Sequence, residues 1–491
     1  LDTLEYQTYD AVGLAELVKN KQVTKAELLK VAFERLDQVN PKLNAVVRTR
    51  KSKAVEELNE AESGDVFSGV PLFLKDISQA IEGEVLSAGS KLLEDHVSSR
   101  DSYYVEKARL AGFQLLGHSN TPEFGLKNIT EPVAYGATRN PWHLNHSPGG
   151  SSGGAAALVA SGVVPMAGAS DGGGSIRIPA GFTGLFGLKP TRGRTPVGPG
   201  TGRQWQGAAI DFALSRTVRD SARFLDVQKI YQPAAAFHVP LDERSYYDLQ
   251  YQPLKRKLRI AYTTASPVRT AVTEDAKQAV IKTVNYLATL GHEIEEIEAP
   301  INGVHLMQDY YTMNAGEMHK VIRGLERQFS RLLTADDLDI FTYALHKVGK
   351  EVSAADFSES LDHWDLASAN MEEFHHTFDL YITPTNAAPA PEIGELTPDQ
   401  AMIERLLNVD HYTKKEQLAL IYDMFLPSLT YTPFTQLANL TGQPAMSIPV
   451  SLSATGLPLG CQVMAAVGRE DLLLSLAFML EASPIWLKQR P

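Results

Sequence analysis

Two serines set among glycines are the residues of this chain best suited to chemistry. The first lies in Ser147-Pro148-Gly149-Gly150-Ser151-Ser152-Gly153-Gly154. The second lies in Ser170-Asp171-Gly172-Gly173-Gly174-Ser175-Ile176-Arg177-Ile178-Pro179-Ala180, with Ser175 standing 24 residues after Ser151. Glycine accepts positive φ and lets a ligand approach the backbone without a Cβ in the way. Three glycines before Ser175 could aim several backbone N–H groups at one point, which acyl transfer needs to hold an oxyanion. A flexible linker would lack the embedded Arg177 and the flanking apolar segments.

Several other chemistries can be set against this one. Gly149-Gly150-Ser151-Ser152-Gly153 formally spells G-x-S-x-G, but His146-Ser-Pro-Gly precedes it where that motif needs a strand. None of the downstream histidines sits in a telling motif. His143-Leu-Asn-His146 and His375-His376 could ligate a metal, yet there is no H-E-x-x-H and no cysteine pair, so surface or packing roles are expected. Gly184-Leu-Phe-Gly187-Leu-Lys189-Pro lacks the length and the hydroxyl of a P-loop. A lysine working with the two serines remains. Its amine must be neutral to act as a base, and burial can lower its free pKa of about 10.4 by several units. The short apolar run Gly69-Val-Pro-Leu-Phe-Leu74 reads as a buried strand delivering Lys75-Asp76. Lys75 could simply pair with Asp76 at the surface. Enclosed, it could take a proton from one serine while that serine takes one from the other.

The elements that must position these groups alternate. Thr24-Lys-Ala-Glu27 is a capping box opening a helix that Asn40-Pro41 should end. Leu43–Val47 is a strand candidate, Lys51–Ala61 a helix before Gly64, Asp101–Ala111 a helix stopped by Gly112, and Phe113–Leu116 a strand. That alternation suggests a mainly parallel sheet. Asn120–His146 is loop-rich, Gly154–Ala160 is helical and Val163–Met166 is strand-like. Leu258–Tyr262, Glu274–Leu290 and Glu293–Glu298 form a βαβ pattern. Val304–Met371 is mostly helical, and its aromatics, Tyr310 and Tyr311 among them, read as core. Asp379–Pro384, Ala445–Val450 and Gly460–Ala466 return to strand, and Glu470–Leu480 is a closing helix.

Composition narrows the function classes. The chain has 491 residues, a formal net charge of −12 and no long basic block, which argues against a nucleic-acid or anionic-membrane surface. No apolar stretch approaches the roughly 18 residues of a membrane span. The one cysteine, Cys461, follows a turn and reads as a small core residue; a single cysteine fits the cytoplasm.

The glycine and serine stretches, with Asp171-x-Gly-Gly-Ser175-Ile-Arg177-x-Pro179, resemble the amidase signature family. Gly69–Asp76, Thr121-Pro-Glu-Phe-Gly125, Gly136-Ala-Thr-Arg-Asn-Pro141, Gly187-Leu-Lys-Pro-Thr-Arg-Gly-Arg194 and Gly456-Leu-Pro-Leu-Gly-Cys-Gln462 are similar too. The resemblance spans nearly the whole chain and is weakest from about 201 to 379. It implies that Ser175 is the nucleophile, Ser151 the bridging serine after a cis Gly150–Ser151 peptide, and Lys75 the base. It implies an oxyanion hole of the Gly172, Gly173, Gly174 and Ser175 amides, a hydrogen bond from Ser152 to Lys75, and an Asp171–Arg177 pair holding the glycine turn. It implies no metal and no organic cofactor. The fold it implies is one α/β/α domain over 1–491, with a twisted mixed sheet of about ten or eleven strands covered by helices on both faces. Within it, 1–65 would be an N-terminal helical region and 66–200 the catalytic core. Residues 201–380 would form a variable substrate side, and 381–491 would return to the sheet.

The expected activity is hydrolysis of a small-molecule carboxylic amide, linear or cyclic, through a Ser175 acyl-enzyme. Ile129, Tyr135 and Ile178 are the expected substrate contacts, with the loop 128–135 and the region after Thr201. The Asp171-Gly-Gly-Gly-Ser175 version and Tyr310-Tyr311…Asn314-Ala-Gly-Glu317-Met318 are similar to the bacterial branch of 6-aminohexanoate cyclic-dimer hydrolases. The A subunit of a tRNA-dependent amidotransferase is an alternative, but His319-Lys-Val-Ile-Arg-Gly stands where that subunit carries its own motif. A non-catalytic binding protein on the same fold is a second alternative, opposed by the intact Lys75, Ser151 and Ser175. Neither nucleic acid nor membrane is expected as a partner, and a homodimer is left open.

Overall fold

Eleven strands and their covering helices make up the computed structural model, which describes residues 1–59 and 66–491. The strands are β1 (Val46–Thr49), β2 (Pro71–Lys75), β3 (Gln114–Ser119), β4 (Met166–Asp171), β5 (Phe186–Lys189) and β6 (Ile210–Ser215). They continue with β7 (Arg259–Tyr262), β8 (Glu293–Glu296), β9 (Leu380–Pro384), β10 (Ala445–Leu452) and β11 (Pro458–Ala465). Eight form one ladder in the order β4-β6-β5-β10-β11-β9-β7-β8, and three form another in the order β1-β3-β2. The two abut along β2 and β4: Gln79, just past β2, donates to Ala169 O of β4 at 3.0 Å. Together they make the eleven-stranded mixed sheet of one α/β domain.

The pairing is more antiparallel than the alternation of elements suggests. Among the described residues, only β2–β3, β7–β8 and β7–β9 run parallel. The remaining neighbours are antiparallel, from β4–β6 through β10–β11 and β11–β9. The βαβ unit of β7 and β8, with the helix Glu274–Thr289 between them, is as expected. Strands β5 and β6 have no counterpart in the sequence reading. The strand expected at 163–166 lies instead at Met166–Asp171, a run of small residues with little β preference that is buried through most of its length.

The Thr24/Glu27 capping box opens the helix Lys25–Leu43, which runs through Pro41 rather than ending there. Pro41 sits in the last turn, so the one helical bond it cannot donate would go to the Asp37 carbonyl, beside end carbonyls that have no intrahelical donor in any case. The helix closes at Asn44 in the left-handed region, φ 49°. The helix expected at 51–61 is observed as Lys51–Glu56 and a 3₁₀ turn Glu57–Asn59; its remainder lies outside the described residues.

Two apolar clusters are the largest among the described residues. The larger lies on the sheet and takes in β2, β4, β6, β10, β11 and the helices packed on them, with Cys461 fully buried in it. A second cluster joins the long helix Gly303–Phe329 to Ile340–Gly349 and Lys414–Tyr431 through Tyr311, Met318, Phe341, Phe425 and Leu429. Tyr311 stacks on Phe425 at 4.6 Å between ring centroids. Gly349 permits this packing, because a Cβ there would stand 1.9 Å from the Ala315 carbonyl oxygen. Replacing Gly349 by Ala should therefore cost about 1–3 kcal/mol in urea unfolding. Gly324→Ala, in the same long helix but with only a side-chain tip 4.0 Å away, should instead stabilise by roughly 0.5–1 kcal/mol.

Candidate active site

Strand β2 ends at Lys75, whose side chain is wholly buried. It does not pair with Asp76, which turns to Arg48 and Ser87. Lys75 Nζ donates to Ser151 Oγ at 2.7 Å and to Ser170 Oγ at 2.9 Å. Burial pushes its pKa down to about 7, against the pull of Asp211 and Asp171. Asp211, the stronger of these two pulls, is itself pushed up by burial while accepting from Ser78, Gln204 and Gln79. Among the described residues the lysine thus has two hydroxyl acceptors, a longer contact to the Ser170 carbonyl at 3.4 Å and no bonded carboxylate.

Ser151 precedes the helix Gly153–Ala160 and follows a cis Gly150–Ser151 peptide. The backbone there is closely enclosed: a Cβ on Gly150 would meet the Ile129 backbone at 2.6 Å. Ser152 does not reach Lys75. Its hydroxyl is engaged with the backbone of Ser170, donating to the carbonyl at 3.2 Å and accepting the N–H at 3.3 Å. The Ser170 side chain takes the place at Lys75 that Ser152 was expected to fill.

Strand β4 ends at Asp171, and the glycine turn to the helix Arg177–Thr183 is built around that carboxylate. Asp171 accepts from Arg177 Nη2 at 2.9 Å, Arg177 Nε at 3.0 Å, Asn439 Nδ2 at 2.8 Å and the Gly174 amide at 2.8 Å. Burial alone would raise its pKa, but the Arg177 charge and these bonds hold the carboxyl well below the usual carboxylate range. The Gly174 amide is therefore engaged and leaves the expected oxyanion set. Gly172, Gly173 and Ser175 line a cavity together with Lys75 and Ser151.

Each carbonyl along the turn is also held. Asn439 donates to Asp171 O at 3.0 Å, Tyr310 Oη to Gly172 O at 2.9 Å and Thr435 Oγ1 to Gly173 O at 2.7 Å. In a trans peptide the N–H points opposite the C=O, so fixing these carbonyls sets the direction of the next amides. Tyr310 belongs to a longer chain of bonds, with Trp205 Nε1 donating to Asn314 Oδ1 at 2.5 Å and Asn314 bonded to Tyr310.

The cavity has a volume of about 590 Å³. Its wall away from the serines is apolar and aromatic, from Phe124, Ile178, Trp205, Tyr311, Phe425 and Leu429. Two buried polar atoms in this wall have no partner among the described residues: Asn128 Oδ1 and Gln436 Oε1. Their amino groups already donate to Ser428 O and Thr432 O respectively, which fixes the amide orientations and leaves the oxygens free. Of the expected substrate contacts, Ile178 lines the cavity; Ile129 and Tyr135 do not. Ile129 is buried with its backbone against Gly150. Tyr135 Oη donates to Ser87 and accepts from Arg48, in a polar group on the far side of Asp76. Of the expected loop 128–135, only Asn128 reaches the wall.

A family model described as Amidase matches residues 27–474. A lipoamidase of Enterococcus faecalis is 39% identical over 480 residues, which are 97% of this chain; the chain spans 63% of that protein's length. A 6-aminohexanoate-cyclic-dimer hydrolase of Pseudomonas sp. (strain NK87) is 36% identical, covering 98% of this chain and 96% of its own. A solved structure of 6-aminohexanoate cyclic dimer hydrolase complexed with substrate superposes with a TM-score of 0.90 at 35% identity, covering 99% of each chain.

The roles of Ser170, Tyr310, Thr435 and Asn439 escape the sequence reading, in which Tyr310 stands only as core and as part of a branch resemblance. Ser170 sits one residue before Asp171 and carried no signal beyond its place in the motif. The other three lie 135 or more residues downstream, in segments that read as ordinary helix or loop. The buried Asp171–Arg177 pair gives a stability test that is independent of activity. Arg177→Met leaves the carboxylate enclosed without its cation, and thermal unfolding should register a loss of about 3–5 kcal/mol.

Proposed function

The chain belongs to the amidase signature family, and from that premise we propose that it hydrolyses small carboxylic amides through an acyl-enzyme on Ser175. The observation that carries the proposal is a buried Lys75 at 2.7 Å from Ser151, in one cavity with Ser175 and the glycine turn. Ser175 Oγ attacks the amide carbonyl carbon. Its proton passes to Ser151 Oγ, and the Ser151 proton passes to Lys75 Nζ. The carbonyl oxygen, now an anion, is held by the amides of Gly172, Gly173 and Ser175. Collapse breaks the C–N bond while the relay runs backwards and delivers the proton to the leaving nitrogen. Water then attacks the Ser175 ester by the same path, and the carboxylic acid leaves. Every proton is carried by side chains of this chain or by water.

The wall supports a substrate class. Aromatic and aliphatic side chains suit methylene or ring segments beside the amide. Asn128 Oδ1 and Gln436 Oε1 suit its N–H donors, since a buried acceptor left unpaired costs about 1–3 kcal/mol. One relative is named for a cyclic dimer of 6-aminohexanoate, an amide of this kind. Residues 66–200 carry the reacting groups and much of the lining, while 201–380 and the Lys414–Tyr431 helix add the aromatic and aliphatic faces of Trp205, Tyr311, Phe425 and Leu429. We assign the cytoplasm as its place of action, in keeping with its single, buried cysteine.

The test is a panel of linear amides, cyclic amides, aryl amides and glutamine, given to wild type and Ser175→Ala. Ser175→Ala should lose about a thousandfold or more of kcat/KM while keeping its Tm. Full activity in that variant would sink the mechanism. Because the base must be neutral, kcat/KM should rise with pH through an apparent pKa near 7, the value to which burial lowers Lys75. Tyr310→Phe removes the hydroxyl that holds Gly172 O and leaves the cavity wall in place. It should lower kcat by about ten- to a hundredfold with KM within about twofold, the mark of a group acting on the transition state.

A further inference from the structure

Outside the cavity, two helices bring three ligand-type side chains to one place. His305 and Asp309 lie one turn apart on Gly303–Phe329, and His363 comes from Ala354–Thr377. His363 Nδ1 is 3.0 Å and His305 Nδ1 is 3.8 Å from Asp309 Oδ2, and the two imidazole centroids are 4.7 Å apart. One ligand atom from each residue lies within 4.8 Å of the others. Asp309 is buried, and among the described residues its ion-pair partners are these two imidazoles alone; no lysine or arginine reaches it. Among the described residues, the Asp309 carboxyl thus has two imidazoles and no permanent cation beside it.

We propose that His305, Asp309 and His363 bind a divalent transition-metal ion, zinc above all, which ties the two helices together. Two imidazoles and one carboxylate are zinc ligands, whereas magnesium and calcium take oxygen donors. Ligands at about 2.0–2.2 Å around a tetrahedral zinc stand roughly 3.4 Å apart. The His363–Asp309 edge is already close to that spacing. His305, whose side chain is 53% exposed, has the freedom to swing in and complete the face. None of the three lines the catalytic cavity, but Met307, Tyr310 and Asn314 of the same helix do. The ion would thus stiffen the helix that carries the Tyr310 clamp without touching substrate. Two other imidazole pairs, His143 with His146 and His319 with His346, have ring nitrogens 3.0 and 3.2 Å apart. Neither belongs to a three-ligand group among the described residues.

The experiment uses the full chain without an affinity tag, stripped with chelator. Zinc is titrated by calorimetry, and cobalt(II) replaces it to give visible d–d absorption. One equivalent per chain is expected, with a Tm that rises with zinc concentration. His305→Ala, at an exposed position that will not disturb folding, and His363→Ala should each weaken binding at least about tenfold. His146→Ala and His346→Ala should leave it unchanged. Absence of a saturable equivalent, binding that survives the His305→Ala/His363→Ala pair, or binding lost only with His146 or His346 would each overturn the proposal.

Discussion

The bond between Asp171 and Arg177 is the constraint on which the rest of the site depends. Both groups are fully buried, and neither could be left there alone. Arg177 uses its remaining donors on Thr435 O, Gln462 Oε1 and Asn439 Oδ1, so one guanidinium ties the end of β4 to β11 and to the helix Gln436–Thr441. Asp171 in turn takes amide hydrogens from Gly174, Ile176 and Arg177. The turn is thus wound around a carboxylate whose lone pairs are all in use. That leaves the amides of Gly172, Gly173 and Ser175 for the cavity. A pair that contributes little net stability over an apolar substitute can still fix a geometry that no apolar packing would specify.

The same burial has the opposite outcome at Lys75. Its bonded neighbours are two hydroxyls and the Ser170 carbonyl, so burial outweighs the pull of Asp211 and Asp171 and its pKa falls to about 7. Burial by itself does not single out a base. Lys189 is equally enclosed and also brought down to about 7, but its side-chain nitrogen donates to Pro190 O and it does not line this cavity. What separates the two is the hydroxyl partner that Lys75 has, Ser151, which can pass a proton on as a carbonyl cannot.

This contrast explains what was legible in the sequence. The reacting groups depend on backbone shapes that few residues can adopt. Gly150, pressed against Ile129, and Gly174, at φ 127°, leave a written trace as glycine runs. Strand β2 announced itself as an unbroken apolar run ending in lysine. The cavity wall leaves no such trace, because Tyr311 and Phe425 need only be bulky and apolar, and at helical spacing that pattern is the same as core. Ile129 and Tyr135 were misassigned for a related reason: proximity to the motif in sequence was taken for proximity to substrate. Strands β4 to β6 were shifted or missed because their small residues are held by ladder bonds and burial rather than by propensity.

The long helix shows why core and site cannot be separated here. Tyr310 must hold Gly172 O at hydrogen-bond distance, so an ångström of drift in that helix would release the turn. Three close approaches oppose such drift. A Cβ on Gly303 would lie 2.3 Å from Pro267 O, one on Gly316 would lie 2.7 Å from the Phe357 ring, and Gly349 comes against Ala315 O from the neighbouring helix. Two of these contacts are with backbone, which does not yield as a side-chain tip does. The glycines that seat this helix lie far from the serines, yet they fix the direction of the Gly173 amide through one tyrosine hydroxyl. Catalytic geometry in this fold therefore rests on helix packing as much as on the glycine turn itself, and packing of that kind is distributed over residues that carry no motif.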